Sequence, residues 1–407
     1  MYQTNYSMII SKCRWVLVTT LMLSASSLKA QTSADSLSGT TNVINTAVPF
    51  LRIAPDARSG AMGDAGLALS TDGNAIFWNT AKLAFAKDTA GKDAGKKLEL
   101  AVTYTPWLRE LVNDIYLASL GGYYKLDKVQ GLAFGLRYFS LGSITFTDAS
   151  GNTLGDFSPR EFCVDMGYGR KLGQHTSIGI NLGYVYSNLA QGYSVNNVPI
   201  KAGQAIKSDL SFFYNHPAKF GKTIKGEYNI GTTIGNIGNK ITYTESAENK
   251  DFIPTNWGIA GGVTMKFDQY NKLTFDLDFN KLLVPTPDSS GDYRSLSPIQ
   301  GIFTSFTDAP GGFSEEMQEI TISTGAEYWY KNLFSVRGGY FYENQYKGGR
   351  QFLTAGLGIK YNVFGLDFSY LIPTSSQKNP LDNTLRFTLY FNFNEIGKLK
   401  EAPVESD

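Results

Sequence analysis

Asp276 and Asp278 stand two residues apart in "KLTFDLDFN" (272–280). Paired carboxylates can do acid–base chemistry, one giving a proton while the other takes it. Gly60, Gly63 and Gly66, in "FLRIAPDARSGAMGDAG" (50–66), raise a second chemistry, a loop whose backbone cradles phosphate. A phosphate loop needs a strand before it and a long helix after it. Here Pro55 sits just upstream, the glycines follow GxxGxxG, and no GK[ST] is present. No serine has a GxSxG context, and His175 and His216 are the only histidines, so a hydrolytic site is poorly supplied. The two histidines fall near separate predicted turns, and no metal pair is expected. No catalytic, cofactor-binding or metal set is therefore expected. Cys163 reads as a small inward-facing residue, not a nucleophile.

The elements that must position these residues are strands. Leu273, Phe275, Leu277 and Phe279 alternate with Thr274, Asp276 and Asp278. The same period of two runs through Phe162, Val164, Met166 and Tyr168 against Cys163, Asp165 and Gly167. It recurs through Ile178 to Tyr186 and through Leu385 to Phe393. Period two gives each strand one apolar and one polar face. About fourteen such segments begin near residues 98, 114, 131, 161, 176, 205, 226, 256, 272, 319, 333, 350, 363 and 383. Links after even strands are short, and most links after odd strands are long. Outer-membrane barrels show that parity, with short periplasmic turns and long outer loops. A soluble sandwich has no reason for it. The expected fold is all-β, a transmembrane antiparallel β-barrel of about fourteen strands. Both termini are expected in the periplasm and the long loops outside the cell.

Composition agrees with this class. Charged residues are 18%, below the soluble average of about 25%. The formal charge is +1, so no bulk basic patch points to nucleic acid. Lys12 and Arg14 precede the apolar run 15–25, and "SSLKA" offers a cut after Ala30, the pattern of a secretory signal. The expected organisation is signal peptide 1–30, tail and plug segment 31–97, barrel 98–394 and periplasmic tail 395–407.

A barrel of this size needs a filled lumen, and the glycine-rich segment is the candidate filler. Its expected packing residues are Pro55, Arg58, Gly60, Gly63, Gly66, Trp78 and Asn79. By parity Arg137, Asp165, Asp209, Asp276, Asp278, Glu327, Arg337 and Arg386 face inward. They form a candidate ion network that also holds plug residues Arg52, Asp56, Arg58 or Asp64. That reading outweighs catalysis at Asp276 and Asp278. The outer connections carry large apolar residues: Trp107, Leu108 and Leu111, then Ile299, Ile302, Phe303 and Phe306, then Phe313. The spacing 299, 302, 303, 306 fits one face of a short helix. These are the candidate partner-binding residues; the alternative is a loop packed over the barrel mouth.

"FLRIAPDARSGAMGDAGLALSTDGNAIFWNTAK" (50–82) resembles the N-terminal signature of the PorV family, within the larger group of FadL-like fourteen-stranded barrels. The stretches 103–124, 136–142, 308–319 and 325–352 resemble the same family. Thr80 stands where FadL-like relatives commonly carry the proline of Asn-Pro-Ala, which argues against borrowing a fatty-acid transport role. The resemblance implies a component of the type IX secretion system of Bacteroidetes, set in outer-membrane lipid. It implies three partners: a very large translocon barrel, the C-terminal signal domains of secreted cargo, and a cell-surface attachment complex. The competing function is a FadL-like uptake channel for hydrophobic small molecules, which requires an apolar route through the plug.

Overall fold

A computed structural model describes residues 42–86, 97–107, 114–147, 150–195, 198–245, 250–287, 292–375 and 383–393. The signal-peptide region, the polar linker before the first strand, Leu108, Leu111 and the C-terminal tail lie outside the described residues. Fourteen strands close into one antiparallel barrel. They are β1 (Lys97–Pro106), β2 (Ile115–Lys125), β3 (Gln130–Leu141), β6 (Arg160–Lys171), β7 (Thr176–Asn188), β10 (Gly203–Phe220) and β11 (Ile224–Gly238). The circuit continues through β12 (Asn256–Lys266), β13 (Asn271–Leu282), β14 (Ile320–Tyr330), β15 (Phe334–Tyr342), β16 (Gln351–Tyr361), β17 (Phe364–Pro373) and β18 (Leu385–Asn392). Two small hairpins, β4–β5 (Ile144–Thr147, Thr153–Phe157) and β8–β9 (Ser194–Val195, Val198–Pro199), sit in long connections. The barrel shuts where β1 pairs with β18, Thr103 opposite Thr388, their hydroxyls 2.7 Å apart on the inward face.

Alternation decides which face meets what. On β13, Phe275, Leu277 and Phe279 point outward and are exposed, while Thr274, Asp276 and Asp278 are buried inside. Val102, Leu182, Ile206 and Ile359 continue the outward apolar band around the circuit. A band of that extent on a closed barrel is a surface suited to hydrocarbon and not to water. The chain's fourteen strands begin within a few residues of the positions that alternation predicts.

Short links join β2–β3 (126–129), β6–β7 (172–175), β10–β11 (221–223), β12–β13 (267–270), β14–β15 (331–333) and β16–β17 (362–363). Their sequences explain their geometry. Asp127 accepts from the backbone N–H groups of Val129 and Gln130, and Asp268 does the same for Tyr270 and Asn271. Lys331 and Asn332 both take φ of 53°, the primed-turn sense that matches strand twist. The opposite end carries the long connections.

Residues 42–86 thread the lumen from end to end. Asn42 donates its backbone N–H to Tyr346, and Ala47 donates to Phe252, both in long connections. Mid-barrel, Ala57 N–H donates to the Thr388 hydroxyl and Gly63 N–H to the Thr354 hydroxyl. At the far end, Lys125 donates to the carbonyl of Ala86. The chain therefore enters beside the long connections, whereas β18 ends beside the short link 362–363, where Asn392 N–H donates to Val363. The described chain begins and ends at opposite mouths because the segment crosses the lumen once without folding back.

Candidate functional site

The plug is fastened by charge. A short helical turn, Ala57–Gly60, is capped by Asp56, whose carboxylate accepts from Ser59 N–H. That turn aims Arg58 at the wall. The Arg58 guanidinium donates twice to Glu327 of β14, at 2.9 Å each, and once to Asp72 at 2.8 Å. Glu327 also accepts from Arg337 at 2.8 Å, and Arg337 reaches Asp367 at 2.7 Å. Glu327 and Arg337 are fully enclosed, so each charge is tolerated only through these partners.

The other inward charges form separate groups. Arg137 lies 3.7 Å from Asp165 and donates to the carbonyl of Leu51. Lys207 joins Asp165 at 2.8 Å to Asp209 at 3.1 Å, and Asn181 donates to Asp209. Asp278 accepts the backbone N–H groups of Gly66 and Leu67, at 2.8 and 3.1 Å. Asp276 is buried beside it with neither oxygen hydrogen-bonded. Arg386 lies 3.6 Å from Asp64. The inward residues are thus clustered around different parts of the plug, not joined in one network. Lys207, Asp72 and Asp367 complete these clusters, and Lys82 donates to the carbonyl of Gly66 at 2.7 Å; none of the four is singled out by the sequence.

The remaining plug residues fit closely. Pro55 accepts from the Ser119 hydroxyl, and Trp78 donates its indole N–H to Asp56. Asn79 caps the turn Thr80–Phe85 and donates to Phe212 of β10. Gly63 takes φ of +72°, and an added Cβ would lie 2.5 Å from the Tyr340 carbonyl oxygen. Gly60 and Gly66 are likewise hard against Arg386 and the Trp78 ring.

Above the plug, the connection between β13 and β14 holds two short helices, Pro298–Thr304 and Phe313–Gln318. Ser297 and Gln300 form a capping box, and Pro298 starts the first helix, so its boundaries follow from local sequence. Its outward side shows Ile299, Phe303 (72% exposed) and the following Phe306, with Ile302 half-buried. Phe313 (80% exposed) and Met317 extend the apolar surface from the second helix. Phe306 meets Trp257 of β12, ring centroids 6.1 Å apart, so the patch reaches the outer barrel wall.

A buried ionic frame holds these helices. Lys281 bridges Glu316 at 2.8 Å and also pairs with Glu319, while Lys347 pairs with Glu315 at 2.5 Å and Glu319 at 3.0 Å. The frame continues to the plug, where Arg52 and Arg350 share Glu343 at 3.6 and 2.7 Å. Arg52 therefore serves the mouth and not the lumen. Burial alone would raise the Glu343 carboxyl, but the hydrogen bond and charge of Arg350, with Arg52 beside it, hold it below the usual range. Sequence reading missed this frame, although "SEEMQE" supplied its acids in plain view.

Trp107 and the two histidines differ from expectation. Trp107 is not a partner surface: it is buried, edge-on to Phe139 with centroids 6.1 Å apart, within the apolar cluster around Phe50 and Leu51. The plug's own apolar residues give it that inward pocket. The two histidines, distant in sequence, stand with ring centroids 4.5 Å apart because β7 and β10 are neighbours. Cys163 is buried and donates weakly to Asp165.

Comparison with known proteins follows this geometry. The model of the family described as "Type IX secretion system protein PorV" matches residues 36–289. No curated protein matches the chain. Among solved structures, the chain is similar to a TodX deltaS2S3 mutant monoaromatic hydrocarbon channel, at 13% identity and TM-score 0.47 over 83% of this chain and 98% of that one. It is also similar to the Ralstonia pickettii toluene transporter TbuX, at 13% identity and TM-score 0.42 over 83% and 97%. The Pseudomonas putida toluene transporter TodX gives 14% identity and TM-score 0.41 over 82% and 95%. Likeness at that level transfers no substrate. The family match spans more than half of the sequence and coincides with the plug and the first strands of the circuit. The chain belongs to the PorV family of type IX secretion system proteins, and its barrel is an outer-membrane barrel.

Proposed function

We propose that this chain is a non-enzymatic docking component of type IX secretion. It binds the C-terminal signal domain of cargo at the large translocon barrel and carries it to the surface attachment complex. The observation that carries this reading is the apolar surface of Ile299, Phe303, Phe306, Phe313 and Met317. Exposed aromatic anchors on a rigid base are what a binding surface needs, since little ordering cost remains to be met on contact. The ionic frame of Lys281, Lys347, Glu315, Glu316 and Glu319 supplies that base. In this reading the long connections face outside the cell, where cargo emerges, and the short turns face the periplasm.

The lumen supports docking over uptake. A hydrophobic solute needs an open apolar route, and the plug fills the lumen through polar fastenings (Arg58–Glu327, Asp278 with two plug amides, Arg386–Asp64) together with apolar contacts such as Phe50 on Phe139. It supports a non-enzymatic role as well, because Asp278 is taken up by the plug amides of Gly66 and Leu67 and Asp276 is buried beside it. The test is a double substitution, Phe303→Glu with Phe306→Glu, followed by mild-detergent capture of the tagged protein from native membranes. Lost recovery of the translocon barrel or of cargo, with the barrel intact, supports the proposal. Undiminished recovery and secretion overturn it.

A further inference from the structure

The chain has two histidines, and the fold brings them to one spot at the short-turn end. His175 closes the β6–β7 link, just before β7 starts at Thr176, which pairs with Tyr214 of β10. His216 lies two residues further along β10, beyond the start of β7, so the link crosses beside it. Tyr214 and Tyr228 complete the cluster, with Tyr228 5.1 Å from His216 between ring centroids. Both histidines are half-buried.

Hydrogen bonding selects the tautomer of His175. Its Nδ1 lies 2.8 Å from the carbonyl oxygen of Asn215. A carbonyl only accepts, so neutral His175 carries its proton on Nδ1 and leaves the Nε2 lone pair free. Nδ1 of His216 stands 3.4 Å from the Tyr214 hydroxyl. Among the described residues no protein partner occupies either Nε2. A backbone carbonyl on the far nitrogen is the outer contact that metal-bound imidazoles use to fix ring and tautomer. The spacing also agrees. Two imidazoles on one divalent ion, with metal–N bonds of about 2.0–2.1 Å, hold their centroids roughly 4.5 Å apart at an octahedral angle and roughly 5.2 Å apart at a tetrahedral one. The observed centroid separation is 4.5 Å.

We propose that His175 and His216 form a two-imidazole site for a borderline divalent transition metal of the Zn²⁺, Ni²⁺ or Cu²⁺ class. Among the described residues no group of three or more His, Cys, Asp or Glu is placed to hold a metal, so water fills the remaining positions. Such a site is exchangeable, and when filled it clamps the β6–β7 link to the β10–β11 hairpin. This reading is independent of the docking surface, which lies at the other end of the barrel.

The test uses the full chain in detergent on a tag free of histidine, titrated calorimetrically with Zn²⁺ alone. The expected result is one equivalent bound, weakened about tenfold or more by His175→Ala or by His216→Ala, with the double substitution adding little to either. His175→Gln and His216→Gln, which keep the side chain polar, repeat the loss if folding of the alanine variants is impaired. A Tyr214→Phe variant that retains binding separates ligation from stacking in the aromatic cluster. Absence of Zn²⁺ binding up to the millimolar range, or equal binding by wild type and the double variant, overturns the proposal and leaves an interfacial aromatic cluster.

Discussion

The lumen and the mouth of this barrel treat their large side chains in opposite ways. Inside, Arg58, Arg337 and Lys207 are buried and each is met by carboxylates. At the mouth, Phe303 and Phe313 are mostly exposed and are met by nothing comparable among the described residues. Yet the mouth is not loose, because its buried side repeats the lumen's device with Lys281 and Lys347 among Glu315, Glu316 and Glu319. Ion pairs here fix position, and apolar surface is left where contact with another molecule is the use. The two regions are joined through Arg52, a plug residue that shares Glu343 with Arg350.

Breaking the lumen side has the largest expected effect on stability. Arg58→Ala leaves Glu327 with Arg337 alone and Asp72 without its guanidinium, a loss of about 3–5 kcal/mol for a buried pair broken on one side. A drop in the thermal midpoint of the folded barrel on heat-modifiability gels checks it. An unchanged midpoint would show that the plug is not fastened there. At the mouth the expected split is the reverse. Phe303→Glu with Phe306→Glu leaves that midpoint close to wild type, since both side chains are already exposed, while partner capture falls.

A third experiment sharpens the contrast between the two ends. An epitope placed just ahead of Asn42 should be reached from the same side as one placed in the helix 298–304. An epitope following Asn392 should be reached from the other side. Antibody labelling of intact cells and of permeabilised cells reads this directly.

The smallest effect concerns pH at the join. The folded Glu343 carboxyl is depressed, so its contribution is fully present above the ordinary glutamate range and is lost as pH falls through the folded value. Glu343→Gln should remove about 1–3 kcal/mol of local stability at neutral pH and flatten the acid dependence. Protease sensitivity of the 343–350 connection against pH measures both.

Much of this was legible in sequence, for identifiable reasons. Period two fixed which side of β13 carries Asp276 and Asp278, and the spacing 299, 302, 303, 306 marked a short helix with an apolar side. What stayed hidden was pairing between residues far apart along the chain. Parity places Lys207 and Asp165 inside but cannot say that β7, lying between their strands, lets them meet. The same limit hid the two histidines. Trp107 was misread because exposure of a loop residue depends on what the plug presents beneath it, here Phe50 and Leu51. The direction of the plug depends on Asn42 meeting Tyr346, again a contact with no local sign.

The central claim is that the exposed surface of 298–317 docks partners. The most direct measurement replaces Phe303 by a photo-crosslinking amino acid in living cells, with a second crosslinker at Phe275 on the lipid-facing wall as the comparison. The account predicts adducts with the translocon barrel or with cargo C-terminal domains from position 303 and none from 275. Adducts with lipid alone at 303, in cells that secrete normally, would contradict it.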